Sequence, residues 1–175
     1  AMDSCSQFAP PPPCAWGKDS ACTFYQMAKE VQDTGVNLTE EQKAIASFWD
    51  CNGFKLTVVG HTNYATKAMT PGGHWMGITG IICQNRKASF SKTVYSYATV
   101  SFAVMDAFIA CWDAKFTFNL IRPETMINKY IDANWKPFLQ TPPFPEYTSG
   151  HSIISTAAAT VLEHIYGAQT PFRDS

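Results

Sequence analysis

The sequence predicts an all-α fold, a bundle of helices. Apolar residues recur at intervals of three and four along most of the chain, the spacing of amphipathic helices. No segment sustains the period-2 alternation of a half-buried strand, and no internal repeat is present. The chain has 175 residues, of which 46% are hydrophobic and 15% charged. That composition is sufficient for one compact domain or the larger part of one.

The N-terminal quarter is expected to contain an arm followed by two helices. Residues 1–22 are predicted to be an irregular arm, in which Pro10–Pro13 form a short polyproline II run. A helix is predicted from Thr23 to Asp33. Thr39–Gln42 has the pattern of a capping box and predicts the start of a second helix. Trp49, at the end of that helix, is expected in the core.

The remaining elements follow in order. Residues 51–70, which contain Gly53, Gly60 and Asn63, are expected to form a loop. Pro71 begins a helix that extends to at least Ile81. A long helix is predicted over residues 91–118, and a short helix over residues 123–130. The long helix is indicated by apolar residues at three- and four-residue spacing: Val94, Ala98, Phe102, Met105, Ile109 and Trp112.

Two cations lie near the end of the long helix. Lys115 and Arg122 are seven residues apart, a helical rotation of about 700°, so they share one face at a separation of roughly 10 Å. Pro123 disfavours the α conformation at Arg122 and ends the helix there. A guanidinium fork together with a compact ammonium suits a phosphate-like oxyanion. The alternative is that both are surface cations that interact favourably with the helix dipole.

A second candidate element lies at the start of the last predicted helix. Residues 141–151 form a loop stiffened by three prolines, and Ser149 is a suitable N-cap. The helix therefore begins near Gly150 and ends at Gly167. Its unpaired N–H groups and its dipole favour an anion, and His151 is placed to exchange a proton with that anion. A Ser-Gly-His cap with no ligand is the alternative. The apolar positions that indicate this helix are Ile153, Ile154, Ala157, Ala158, Val161, Leu162 and Ile165.

Together, the two elements resemble the first two signature motifs of the type 2 phosphatidic acid phosphatase and vanadium-dependent haloperoxidase superfamily. The first motif is Lys, six residues, then Arg-Pro, and the second is Ser-Gly-His. The resemblance covers roughly residues 23–170 and implies the helical fold of that superfamily. Four further segments look like its soluble bacterial haloperoxidase-related branch: 39–50, 71–75, 106–115 and 143–152.

The resemblance also implies roles for individual residues. Those expected to bind the oxygens of phosphate or vanadate are Lys115, Arg122, Ser149 and Gly150. His151 would be the acid–base catalyst. The superfamily usually has proline where this chain has Thr148, a small departure in a loop already stiffened by prolines. The implied cofactor is vanadate for a haloperoxidase, and none for a phosphatase, in which phosphate is substrate or product.

Two further residues could support such a site. His74 lies in the first turn of a predicted helix and could face the anion, although a structural histidine is the alternative. Asp113 is close in sequence to Lys115 and could orient a cation. A solvated helix carboxylate is the alternative for Asp113.

The third superfamily motif is not found in the sequence. That motif is Ser-Arg, several residues, and then the histidine that is phosphorylated or coordinates vanadium. His164 has no Ser-Arg before it and lies about 20 Å along the same helix as His151. The domain over residues 23–175 is therefore expected to be partial, without its C-terminal part and without a direct ligand to vanadium.

Three functional hypotheses follow. The first is that this chain is part of a vanadium-dependent haloperoxidase-like enzyme. A C-terminal segment or a second chain would complete the active site, and this chain would be inactive without it. The second is a phosphomonoester hydrolase that acts through a phosphohistidine supplied by the missing segment. The third is a noncatalytic anion-binding or structural fragment. The expected small-molecule partners are a phosphoester, or a halide with peroxide.

Charge and composition limit the other partners. A net charge of −1 and a pI near 6.5 give no basic surface for nucleic acid. The most apolar stretch, residues 97–112, is interrupted by Asp106 and is shorter than the ~20 residues of a membrane span, so none is expected. The six cysteines include no Cys-x-x-Cys pair, which argues against a zinc site. Their even number permits disulfides and favours a periplasmic or secreted location over the alternative, the cytoplasm. Homo-oligomerisation stays open.

Overall fold

The computed structural model describes residues 3–50, 55–59, 62–66 and 69–174. Over these residues the chain is mainly helical, which confirms the predicted all-α class. The helices are α1 (Thr23–Val36), α2 (Glu40–Phe48), α3 (Pro71–Asn85), α4 (Phe90–Phe118), α5 (Pro123–Tyr130) and α6 (Gly150–Tyr166). A single 3-10 turn, Cys5–Phe8, lies in the N-terminal arm.

Within the expected loop over residues 51–70, the described residues include two short paired strands, while residues 51–54, 60–61 and 67–68 lie outside the described residues. Strands β1 (Lys55–Val59) and β2 (Thr62–Thr66) pair antiparallel, with Lys55 opposite Thr66 and Val59 opposite Thr62. β1 includes one threonine and two valines, whose branched side chains favour extended backbone. This local preference outweighs the glycines on which the loop prediction was based.

The helix ends follow the predicted local signals. The capping box at the start of α2 is formed, because Gln42 N donates to Thr39 Oγ1 at 3.2 Å and Thr39 N donates to Gln42 Oε1 at 2.9 Å. α6 ends at Gly167, whose φ of 92° is accessible to glycine without strain. The prediction for Trp49 was wrong. This residue is 49% exposed at the C-cap of α2, where its ring meets the edge of Phe48.

The chain divides into two compact units that are not continuous in sequence. The first unit consists of Ala1–Ala9, Met69–Ala114 and Thr148–Ser175, and the second consists of Pro10–Ala68 and Lys115–Tyr147. The division proposed from the sequence, an arm over residues 1–22 and a domain over residues 23–175, stays a prediction.

The core of the first unit is formed by apolar stripes on three of its helices. Its buried members are Ile78, Ile82, Val100, Ala158 and Leu162. The pairs from α3 and α6 are each four residues apart, so each pair occupies one helix face. Burial of an isoleucine or leucine side chain contributes about 1.5–3 kcal/mol, which makes these contacts the main local source of stability. This packing fixes α6, the helix that carries the Ser-Gly-His sequence at its start.

The core of the second unit joins α1 to α5 and to the segment after α5. Its buried members are Phe24, Ala28, Met126, Ile127 and Trp135. The arm is attached to this unit, since Trp16 stacks edge-on against Tyr130 at 5.9 Å and Tyr147 Oη donates to the carbonyl of Pro11 at 2.8 Å. Residues of the arm thereby restrain the segment that precedes α6.

One segment of the described chain, Phe90–Tyr130, is long and apolar enough to cross a membrane by length and composition alone, since it contains an 18-residue window with a mean hydropathy of 1.4, of which 17% is buried. A core helix of a soluble protein passes the same test. Helical structure is interrupted within the segment, because α4 ends at Phe118 and Asn119 has a left-handed φ of 47°. The expected absence of a membrane span stays a prediction.

The described cysteines are free thiols: Cys5, Cys14, Cys22, Cys83 and Cys111. Cys51 lies outside the described residues. The location expected from the even number of cysteines, periplasmic or secreted, therefore stays a prediction.

Candidate functional site

Lys115 lies in the last turn of α4, within the second unit, and is 1% exposed. Its ammonium donates to the carbonyl of Pro145 at 2.8 Å and to that of Glu146 at 3.0 Å. A buried charge is costly unless dipoles or countercharges compensate it. Here the carbonyl dipoles provide that compensation, so Lys115 and the loop that contains them fix each other's position.

Arg122 occupies the N-cap of α5, in the same unit. Its φ of −74° and ψ of 148° are outside the α region, as Pro123 predicts. The guanidinium donates from Nε to the carbonyl of Phe144 at 2.6 Å and from Nη2 to that of Pro145 at 3.4 Å. Nη1 donates to Oε2 of Glu146 at 2.8 Å. The planar fork is thus held in one orientation by three consecutive residues.

The structure brings the two cations together on the 144–146 loop. Both donate to the carbonyl of Pro145, and the ring of Phe144 lies 5.1 Å from Lys115 Nζ and 4.9 Å from Arg122 Cζ. Cations within about 6 Å of an aromatic centroid are attracted to the ring. Their expected role as ligands of an anion stays a prediction.

Glu146 is a residue of this arrangement that the sequence analysis missed. Its carboxylate is half-buried beside Arg122, and its backbone N–H donates to the carbonyl of Leu120 at 2.9 Å. The available signal was a single acidic residue in the proline-rich loop between the two candidate anion-binding elements. Its distance of 24 residues from Arg122 gave no reason to pair the two.

The second candidate element is the N-terminus of α6, in the first unit. Ser149 is the N-cap, as predicted, and its Oγ accepts from the N–H of Ser152 at 3.3 Å. The N–H groups of the first turn have no partner within a helix, so Gly150 and His151 present donors at the positive end of the helix dipole. His151 is exposed, and its ring makes no hydrogen bond within the described part of the chain.

The described neighbours of Gly150 do not explain why this residue is glycine. A Cβ here would lie 3.6 Å from Cζ3 of Trp112, an ordinary van der Waals distance. Gly150 also has no left-handed backbone conformation that would require glycine.

The two residues expected to support the site differ in their surroundings. His74 Nε2 lies 2.6 Å from Oδ2 of Asp174, and both side chains are largely buried. This contact ties the start of α3 to the segment that follows α6. Asp113 is exposed and has no hydrogen bond or ion pair in the described ranges, as expected for a solvated carboxylate. A supporting role for either residue stays a prediction. His164 is exposed in the last turn of α6.

The chemistry of these groups suits the oxygens of an oxyanion. Among the described residues, no cluster of three or more His, Cys, Asp or Glu side chains could hold a metal ion. The candidate groups are an ammonium, a guanidinium, a serine hydroxyl and helix N–H donors, which fit the oxygens of phosphate or vanadate.

Comparison with known proteins gives consistent results. Residues 95–134 and 128–174 match the family described as the VCPO second helical-bundle domain. A solved structure described as the crystal structure of the first bacterial vanadium-dependent iodoperoxidase is 47% identical, with a TM-score of 0.88. The match covers 99% of this chain and 41% of that chain, so this chain spans about two fifths of the relative's length. No curated protein matches significantly. The chain belongs to the superfamily of vanadium-dependent haloperoxidases.

Proposed function

We propose that this chain contributes two oxyanion-binding elements to a vanadium-dependent haloperoxidase. One element is the cation pair Lys115 and Arg122, and the other is the N-terminus of α6 with His151. The observation that carries the proposal is the fixed geometry of the cations, both held by the 144–146 loop. Charges positioned before a ligand arrives can stabilise an oxyanion without reorganisation at the time of reaction.

The two cations would bind oxygens in different ways. Lys115 acts as a point charge, whereas the fork of Arg122 can give two parallel hydrogen bonds to one anion. Glu146 occupies one edge of that fork, so an arriving oxyanion competes with its carboxylate. When bound, vanadate would supply the electrophilic centre at which peroxide becomes able to oxidise a halide.

The start of α6 would bind an oxyanion and move a proton. The N–H of Gly150 and the helix dipole favour negative charge, and the lack of a Cβ lets an anion approach the backbone. This role accounts for a glycine that packing does not require. The exposed ring of His151 can exchange a proton with an oxygen of the anion.

The ligand to vanadium itself would come from another part of the protein. This sequence covers 41% of the chain of the solved relative, which is described as a vanadium-dependent iodoperoxidase. We assign the vanadium-binding histidine to a C-terminal segment or a second chain, and a halide and peroxide as the small-molecule substrates. Without that histidine, the 175 residues should bind phosphate or vanadate but not turn over substrate.

Binding can be tested with inorganic phosphate and with orthovanadate. Calorimetric titration of the 175-residue chain should show binding that weakens in Arg122→Ala and is retained in Lys43→Ala, a substitution at an exposed surface pair. The histidine ring signals in NMR spectra should show His151 responding to phosphate while His164, on the same helix, does not. Absence of any response to either anion would reject the proposal.

Activity can be tested by halogenation of a phenolic dye with vanadate, peroxide and iodide. The complete protein should halogenate the dye, and the 175-residue chain should not. Hydrolysis of p-nitrophenyl phosphate by the complete protein, without dye halogenation, would instead favour the phosphatase hypothesis. Robust turnover by the 175 residues that is lost in His151→Ala would show that the chain is catalytically sufficient.

A further inference from the structure

A buried hydrogen-bonded pair lies immediately before α6, within the first unit. Thr148 is 6% exposed and Cys111, on α4, is 1% exposed. Thr148 Oγ1 donates to Cys111 Sγ at 3.3 Å, and Cys111 Sγ donates to the carbonyl of Thr148 at 3.8 Å. One thiol therefore holds both the side chain and the backbone of the residue that precedes the N-cap.

This restraint acts on the direction in which the chain enters α6. Thr148 is bonded directly to Ser149, whose hydroxyl caps the N–H of Ser152. The conformation at Thr148 consequently determines where the N–H groups of the first turn and the ring of His151 point. α4 also meets this turn through Trp112, the residue after Cys111. The ring of Trp112 lies beside Gly150.

Threonine cannot rigidify this position by itself. Proline would fix φ near −65° through its ring, whereas threonine leaves φ free unless a partner holds it. Here the buried thiol is that partner. We propose that Cys111 and Thr148 are positioning residues, which orient the start of α6 for oxyanion binding. This inference rests on the proposed function, because it concerns the geometry of the same N-terminus.

The test compares variants from both sides of the pair. Thr148→Val removes the hydroxyl that donates to the thiol but keeps the backbone carbonyl, and Cys111→Ala removes both contacts of the thiol. Both substitutions change the side-chain volume little, and Cys111→Ser retains a donor and an acceptor at position 111. The readout is the response of the His151 ring signals to inorganic phosphate. We expect phosphate affinity to fall about two- to tenfold in Cys111→Ala and Thr148→Val, the range that corresponds to one ordinary hydrogen bond. Cys111→Ser should stay close to the unsubstituted chain.

A rescue experiment separates positioning from general stability. Cys111→Ala combined with Thr148→Pro should regain phosphate affinity, because the proline ring replaces the restraint that the thiol supplied. Cys83→Ala is the matched control. Cys83 is another buried thiol of the first unit, but it contacts Tyr166 at the opposite end of α6. Its loss should leave the phosphate response unchanged.

The outcomes distinguish this inference from the proposed function. Folded Cys111→Ala and Thr148→Val that bind phosphate as tightly as the unsubstituted chain would overturn the positioning role alone. Equal weakening in Cys83→Ala would also overturn it, since the effect would then be a general loss of stability. An unsubstituted chain whose His151 does not respond to phosphate would overturn the proposed function and this inference together. If either Cys111→Ala or Thr148→Val does not fold, the other variant still tests the positioning role.

Discussion

The guanidinium of Arg122 and the carboxylate of Glu146 form an ion pair in which Nη1 lies 2.8 Å from Oε2. Nε and Nη2 of Arg122 donate to the carbonyls of Phe144 and Pro145. The carboxylate is thus the one formal anion among these partners. In the proposed function, Glu146 acts as an internal competitor with an external oxyanion.

Removal of the charge on Glu146 should strengthen anion binding. Glu146→Gln keeps the size of the side chain and a hydrogen-bond acceptor but removes the repulsion of an arriving oxyanion. Partly exposed charge pairs contribute about 0.2–1 kcal/mol, so phosphate affinity should rise by about 1.4- to fivefold. Calorimetry at two salt concentrations measures this gain, which should shrink at the higher concentration because salt screens the charge.

Glu163→Gln, at an exposed position in α6, serves as the charge-matched control and should leave the affinity unchanged. Weaker binding by Glu146→Gln would show that the carboxylate orients Arg122 and does not compete with the ligand.

Lys115 should be required for folding as well as for binding. Lys115→Met keeps the volume but leaves the carbonyls of Pro145 and Glu146 without their ammonium donor. The carbonyl of Pro145 keeps its 3.4 Å contact with Arg122 Nη2, whereas that of Glu146 loses its ammonium donor. An unsatisfied buried polar group costs about 1–3 kcal/mol, so the free energy of unfolding, measured by urea denaturation, should fall by about 1–3 kcal/mol.

Lys43→Met removes only a surface pair with Glu40 and should cost less than about 1 kcal/mol. Equal losses in Lys115→Met and Lys43→Met would mean that the contacts of Lys115 with the loop contribute little to stability.

Much of the secondary structure could be predicted because helix ends depend on neighbours in sequence. The capping box at Thr39, the proline after Arg122 and the serine before Gly150 each act within four residues. The strand pair Lys55–Val59 and Thr62–Thr66 was missed because glycines and branched residues gave opposing signals in the same short segment.

The partners of the candidate residues could not be predicted in the same way. His74 meets Asp174 from 100 residues away, and Thr148 meets Cys111 from 37 residues away. Such contacts are set by how helices pack, which the periodicity of each helix does not specify. The two cations were selected by residue type and spacing, but the shared helix face expected from that spacing was wrong, because α4 ends at Phe118 and Arg122 lies at the N-cap of α5. The sequence also gave no indication that backbone carbonyls would hold the two cations.

His151 should be dispensable for folding but required for chemistry. Its ring is exposed at the start of α6, so His151→Ala should change the free energy of unfolding by no more than about 0.5 kcal/mol. In the complete, vanadate-loaded protein, loss of a general acid–base group should lower the rate of dye iodination about 10²–10⁴-fold.

His164→Ala removes an exposed histidine from the other end of the same helix and should retain the full rate. Comparable iodination rates in His151→Ala and the unsubstituted protein would remove His151 from the acid–base role.

Tyr166 should make stability sensitive to alkaline pH. Burial raises the pKa of its phenol above the ordinary value of 10.0, and the hydrogen bond with Cys83 raises it further, while that with Ser96 acts in the opposite direction. Because the folded pKa lies above the unfolded one, the contribution to stability is complete below pH 10.0 and is lost as pH rises through the folded pKa.

Urea unfolding from neutral pH to above pH 10.0 should show the unsubstituted chain losing stability more steeply than Tyr166→Phe. Tyr95→Phe, an exposed control on α4, reports losses that do not depend on Tyr166. A constant difference between the unsubstituted chain and Tyr166→Phe across this range would contradict the raised pKa.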